Sequence, residues 1–167
     1  GGDSSAVASN LTSGISQIYG TNSAFAALKS DGSVVTWGGS ANGGNSSAVA
    51  SSLTSGVSQI YSAGAAFAAL KSDGSVVTWG DSSSGGNSSA VASSLSSGVS
   101  QIYSTGTAFA ALKNDGSVVT WGDSGYGGNS SAVASNLASG VSQMCSTAYA
   151  FAALKSDGSV ITWGYGA

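Results

Sequence analysis

Two kinds of apolar run recur along the chain. One is short and β-forming: Val57-Ser58-Gln59-Ile60-Tyr61, with counterparts that begin at Ile15, Val99 and Val141. The other is longer: Ala24-Phe25-Ala26-Ala27-Leu28-Lys29, then Ser30-Asp31-Gly32-Ser33, then Val34-Val35-Thr36-Trp37-Gly38. It returns almost letter for letter at 66–80, 108–122 and 150–164. Asp-Gly between two β-forming runs predicts a hairpin. A two-residue type I′ turn requires φ > 0 at both central positions, which Gly takes freely and Asp tolerates. Centred on Asp31-Gly32, that turn pairs Ser30 with Ser33, Lys29 with Val34, Leu28 with Val35, Ala27 with Thr36 and Ala26 with Trp37. Side chains alternate along a strand. One face then carries Ala26, Leu28, Val35 and Trp37, and the other Phe25, Ala27, Lys29, Val34 and Thr36. Both faces hold apolar residues, which predicts a sheet covered on both sides by other sheets.

The runs are strictly periodic. Trp stands at 37, 79, 121 and 163, and Asp-Gly at 31–32, 73–74, 115–116 and 157–158, always 42 residues apart. The chain therefore reads as one repeat domain, 1–167, of four units: 1–42, 43–84, 85–126 and 127–167. A period of 20–50 residues points to solenoids, propellers or arrays. Between hairpin and next strand lies Gly43 to Gly56. Asn45 suits a helix start, Val49 and Leu53 are four apart, and Gly56 suits a stop. The same letters allow a short edge strand over Ala48–Ser51. Each unit thus offers three strands and one element that is either helix or strand.

The string Gly56-Val57-x-Gln59-Ile60, then Phe67-Ala68-x-Leu70, Asp73-Gly74-x-Val76, Trp79-Gly80 and Gly85-Gly86 repeats over the full length. It resembles the regulator-of-chromosome-condensation repeat family, and most of all the bacterial variants in long repetitive surface proteins. That resemblance implies a β-propeller with four-stranded blades and an extracellular or cell-surface setting. The founding family's nucleotide-exchange and chromatin roles do not follow, because no residue here matches a motif for them. The fold class is all-β with propeller-like blades. The four units form a closed four-bladed ring, half of an eight-bladed dimer, or an open β-solenoid array. In a closed ring the opening segment, Gly1 to Val7, completes the last blade and protects its edge.

Composition narrows the chemistry. Leu, Ile, Val and Phe make up just under a fifth of the 167 residues. The net charge is only −3, so the regular pattern, not disorder, decides. Twenty-six glycines, with abundant Ala and Ser, suit closely approaching strands. The chain has no His, Arg, Glu or Pro. Its bases are Lys29, Lys71, Lys113 and Lys155, and its acids are seven Asp. Without His, no Ser or Thr has a base to activate it, so the chain reads as non-enzymatic. Without clustered bases, no nucleic-acid partner is expected. Cys145 alone forms neither an internal disulfide nor a Cys-based zinc site, and it reads as an inert small hydrophobe. No cofactor or metal and no membrane insertion are expected. The chain opens on Gly1 without a basic-then-apolar leader and reads as a piece of a longer protein.

Other candidates have sufficient structural explanations. The four turn aspartates would make a carboxylate ring for a cation, but the turn already requires them. The four tryptophans would make a sugar platform, but as the largest side chains here they suit the space between blades. The lysines read as solvated strand ends. The sequons at Asn10, Asn45, Asn87 and Asn129 carry little weight in so Ser-rich a chain.

The copies disagree in two windows. One precedes the Phe (20–23, 62–65, 104–107, 146–149), and the other follows Trp-Gly (39–42, 81–84, 123–126, 165–167). In an up-and-down blade both emerge on one rim, opposite the Asp-Gly turns. Loops on a rigid scaffold are where binding concentrates. The rim candidates are Asn22, Asp81, Asp123, Tyr126, Tyr149 and Tyr165; drift at unconstrained positions is the competing explanation. Two function classes follow. The first is a structural repeat unit of an extracellular fibre, adhesin or surface protein, with self-association or neighbouring repeats as partners. The second is a lectin-like or protein-binding propeller that takes a glycan or protein on the rim.

Overall fold

In the computed structural model, which describes residues 1–166, twelve strands form four antiparallel three-stranded sheets, each in simple sequential order. The first blade is β1 (Ile15–Gly20), β2 (Ala24–Lys29) and β3 (Val34–Gly38). The second is β4 (Val57–Ser62), β5 (Ala66–Lys71) and β6 (Val76–Gly80). The third is β7 (Val99–Ser104), β8 (Ala108–Lys113) and β9 (Val118–Gly122). The fourth is β10 (Val141–Ser146), β11 (Ala150–Lys155) and β12 (Val160–Gly164). Among the described residues no blade has the implied fourth strand, and the undecided element is a 3-10 helix: Ser5–Leu11, Ser47–Leu53, and shorter turns at Ser89–Val91 and Ser131–Val133. The cap residue is Ser46, not Asn45, and it makes no side-chain cap bond; Asn45 stands one residue earlier, where its Oδ1 accepts from the Ser47 N–H at 2.9 Å. With one apolar pair per linker, this short helix buries Leu53 and leaves Ser47 and Ser51 exposed.

The hairpin differs from its expected form by one residue. Phe25 pairs with Trp37, Ala26 with Thr36, Ala27 with Val35 and Leu28 with Val34. The Gly32 N–H donates to the Lys29 carbonyl and the Lys29 N–H to the Ser33 carbonyl, both at 2.9 Å. This is a type I turn closed by a glycine bulge, the usual three-residue loop. Only Gly32 takes a positive φ, +77°, and no residue other than glycine does so anywhere among those described. Asp31 stays in ordinary backbone space because its carboxylate accepts from Ser33 twice, from N–H at 2.9 Å and from Oγ at 2.6 Å. A slip of one residue moves a whole strand's side chains to the opposite face. Trp37 therefore stacks on Phe25, ring centroids 5.3 Å apart, instead of sharing a face with Leu28.

The corrected register yields two unlike faces per blade. The front carries Phe, Ala, Val and Trp (Phe67, Ala69, Val77, Trp79), and the back carries Ala, Ala, Leu and Val (Ala24, Ala26, Leu28, Val34). Each back packs on the next front. Ala24, Ala26 and Leu28 bury against Phe67, Ala69 and Trp79, with Leu53, Val57 and Ile60 filling the seam. The same seam joins blades two and three, and three and four. Small residues on one side let the large rings of the other approach. Gly43 shows how closely: a Cβ there would lie 2.5 Å from the Phe67 ring. The Gly43 carbonyl accepts from the Trp79 indole N–H at 3.0 Å, and Gly85 and Gly127 repeat this with Trp121 and Trp163.

The seam also has a backbone component. The Val57 N–H donates to the Gly32 carbonyl at 3.0 Å, with Val99 to Gly74 and Val141 to Gly116 repeating it. Three lysines are not simply solvated. Lys71, Lys113 and Lys155 reach back to the carbonyls of Ser52, Ser94 and Asn136 at 2.9–3.1 Å and hold the end of their own linker.

The stack has two uncovered ends. On the front of the first blade Ile18 is 62% exposed; on the back of the fourth, Val160 is 60% and Leu154 38% exposed. The opening segment does not complete the last blade. Its helix, Ser5–Leu11, packs on β3 of the first.

Candidate functional site

The rim forms because β1–β2 loops and post-β3 segments leave each sheet at one end and then bind each other. The Gly39 N–H donates to the Ser23 carbonyl at 2.7 Å, and the Thr21 hydroxyl donates to the Asn42 carbonyl at 3.0 Å. Blade to blade, the loops form a ladder. The Asn22 N–H donates to Gly64, Gly64 to Gly106 and Gly106 to Ala148, at 2.7–2.8 Å.

The six rim candidates separate into three groups. Tyr126, Tyr149 and Tyr165 come together at the fourth blade, with ring centroids 5.6, 6.0 and 6.4 Å apart. Tyr149 and Tyr165 are 57% and 71% exposed. Each tyrosine belongs to a different window, so the trio exists only through folding. Asp81 and Asp123 are occupied locally. Asp81 accepts from the Ser84 N–H at 2.9 Å and from the Ser83 hydroxyl, and Asp123 accepts from the Gly125 N–H at 2.7 Å. The Ser83 hydroxyl is the main reason that the Asp81 carboxyl lies below its ordinary range. Asn22, on the first blade, contributes its backbone to the ladder, and its side-chain amide lies beside Gly64. Of the last window, Ala167 lies outside the described residues.

The turn aspartates do not converge. Each is bound to the serine two residues on, and that serine holds its carboxyl below the ordinary range. No three His, Cys, Asp or Glu gather among the described residues. No helix is long and apolar enough to cross a membrane.

What the residues alone did not single out is the pair of end faces. In the other blades the counterparts of Ile18 and Leu154 belong to the core, and those of Val160 pack half-buried against it. The exposure of Ile18, Leu154 and Val160 follows only from standing at the two ends of a stack.

Four sheets stacked face to face, each joined to the next by one linker, define a propeller-type repeat fold. Solved structures share it. Prp20p from Saccharomyces cerevisiae, described with its binding to Gsp1p and histones, is 16% identical with a TM-score of 0.61, over 90% of this chain and 44% of its own. Human WBSCR16 is 23% identical with a TM-score of 0.58, over 90% and 47%. The ectodomain of the receptor kinase CR4 from Physcomitrella patens is 17% identical with a TM-score of 0.57, over 91% and 39%. This chain thus spans less than half the length of each, and at these identities the likeness is one of fold. Neither protein-family models nor curated proteins gave a match.

Proposed function

We propose that the chain is a non-enzymatic structural repeat domain, 1–167, of an extracellular fibre, adhesin or surface protein, in the regulator-of-chromosome-condensation-like family. Its working surfaces are its two ends, each of which receives another blade. One observation carries this reading: the end faces are the two halves of a seam that the chain builds three times internally, and both are uncovered. In a longer array, neighbouring units cover them. The absence of His, Glu and Arg supports a role without catalysis.

The tyrosine trio favours a second reading, a rim that binds a protein or glycan. Exposed aromatic rings offer large contact area at low entropic cost. Screening the purified chain against glycan and protein arrays separates the two. The structural reading expects no ligand apart from chains of the same repeat. A glycan or protein whose capture is lost in Tyr126→Ser, Tyr149→Ser and Tyr165→Ser variants would replace it with the binding reading.

A further inference from the structure

We propose that a second copy of this chain docks head to tail on the first, so that two chains close one eight-bladed ring. The inference rests on the reading of the end faces as blade-receiving surfaces and names their occupant when the chain stands alone.

The occupant follows from the repeat. Inside the chain every seam joins the back of one blade to the front of the next. The uncovered front belongs to the first blade and the uncovered back to the fourth. The back is an apolar surface with Cys145, Ala152, Leu154 and Val160 around a depression of about 240 Å³. Those positions, in Tyr61, Ala68, Leu70 and Val76, receive Phe109, Trp121, Leu95 and Ile102 between the second and third blades. On the first blade the matching residues are Phe25, Trp37, Leu11 and Ile18. Phe25 and Trp37 are half-buried and Ile18 is exposed, whereas Phe109, Trp121 and Ile102 are buried.

The backbone bonds point the same way. The Val141 N–H donates to Gly116, and the Gly158 carbonyl of the last turn stands where Ile15 N–H of a second copy would donate. The Val118 N–H donates to Leu137, and Val160 N–H stands where Leu11 of a second copy would accept. The rim ladder ends at Ala148, whose next partner by the same step is Asn22. A lone hairpin turn shows what is missing: a Cβ on Gly158 meets nothing within 4 Å, whereas on Gly116 it would lie 2.8 Å from the Gly140 nitrogen.

The faces are unlike, so one copy cannot pair front to front with another through these contacts. A head-to-tail contact either closes or grows into a filament. One chain leaves both of its end faces uncovered, so a second four-bladed chain is the smallest addition that covers both through the seam already built inside the chain. Closure makes two joints at once, and the second forms at high effective concentration, which favours the ring over a growing end.

Light scattering after size exclusion tests this on the whole chain. The expected mass is twice 15.9 kDa, without higher species. Ile18→Asp at the head and Val160→Asp at the tail each yield monomer, with far-UV dichroism unchanged because both side chains are already exposed. Mixing the two variants restores one sound joint and a dimer of weaker affinity than the parent's. Cys145 supplies a readout on the unaltered chain. It is exposed in one chain and covered in the ring, so its reaction with a thiol reagent slows by about tenfold or more as concentration rises through the dimer range. A strict monomer whose thiol reactivity is independent of concentration overturns the proposal. A ladder of growing masses overturns the ring, and a dimer that persists in both single variants overturns the head-to-tail contact. Ligand capture on arrays leaves these masses untouched, so the ring and the structural role fail separately.

Discussion

The four hairpin turns have nearly the same sequence but unlike surroundings, and that difference can be measured. Gly116 (φ +77°) and Gly158 (φ +87°) occupy the same left-handed position in the third and fourth turns. Replacing either by Ala forces a Cβ into that conformation, at about 1–2 kcal/mol. At Gly158 nothing further happens, because no atom lies within 4 Å of the new Cβ. At Gly116 the Cβ would lie 2.8 Å from the Gly140 nitrogen and 3.3 Å from its Cα. The turn must withdraw from backbone that has no side chain to yield. Overpacking of this kind adds about 1–3 kcal/mol. Withdrawal also lengthens the 3.0 Å bond from the Val141 N–H to the Gly116 carbonyl, which contributes about 1 kcal/mol more. Gly116→Ala should therefore lose about 2–4 kcal/mol more than Gly158→Ala. Both are made in a Val160→Asp chain, which keeps the last turn uncovered. Urea denaturation followed by tryptophan fluorescence gives the difference, and hydrogen exchange at the Val141 amide localises it. Equal losses in the two variants would show that the glycine serves the turn alone and that docking between blades does not require it.

Three further outcomes follow from the same structure. Leu95, 2% exposed in the seam, should lose about 2–5 kcal/mol on mutation to Ala, whereas its half-buried counterpart Leu11 loses only about 1 kcal/mol in the same Val160→Asp background, by urea denaturation. The Thr107 hydroxyl is buried without a partner where the second blade has Ala65, so Thr107→Ala should stabilise the chain, raising the thermal midpoint and contributing up to about 1–3 kcal/mol. Folding holds the carboxyls of Asp31, Asp73, Asp115 and Asp157 below their ordinary value of 3.8; their stabilisation is present above that value and lost as pH falls through the folded one, so thermal midpoints should hold from neutral pH to about pH 4 and drop below it, and changing all four to Asn should remove much of that drop.

The period, the three strands per unit and the stacking of covered sheets were legible from residue types. Apolar alternation, Asp-Gly and the 42-residue step each carry that information locally. The register of the hairpin was not. Asp-Gly satisfies a type I′ turn if Asp takes a positive φ, and a type I turn with a bulge if only Gly does. The deciding contacts are the two bonds from Ser33 to Asp31, and Ser at that position is compatible with either turn. The linker stayed open because one apolar pair in a Ser-rich segment fits a turn of helix as well as an edge strand. The rim candidates were read from disagreement between copies, which marks freedom from the scaffold and not proximity. It therefore grouped Asp81 and Asp123, each bound within its own loop, with three tyrosines from three windows that meet only after two blades stack.

The unlike faces explain how so few large side chains hold the chain together. If both faces carried Phe and Trp, rings would meet rings, and the glycine carbonyls that accept the indole N–H groups would be pushed away. If both carried Ala and Leu, the seam would bury too little surface to offset the ordering of its glycines and serines. Opposing small residues to large ones solves both problems with a single sequence, and near-identical units can repeat without a special partner. The same device creates the ends. A stack of identical two-sided units always terminates in one uncovered front and one uncovered back. Each exposes residues whose internal counterparts lie in the core or pack directly against it. A polar cap would change residues at Ile18, Leu154 or Val160, yet the chain keeps the apolar type at all three. What chiefly distinguishes the end blades from the inner ones is therefore the neighbour they lack, and another blade of the same kind fits both faces with one change among these positions, Cys145 where the inner backs carry Tyr.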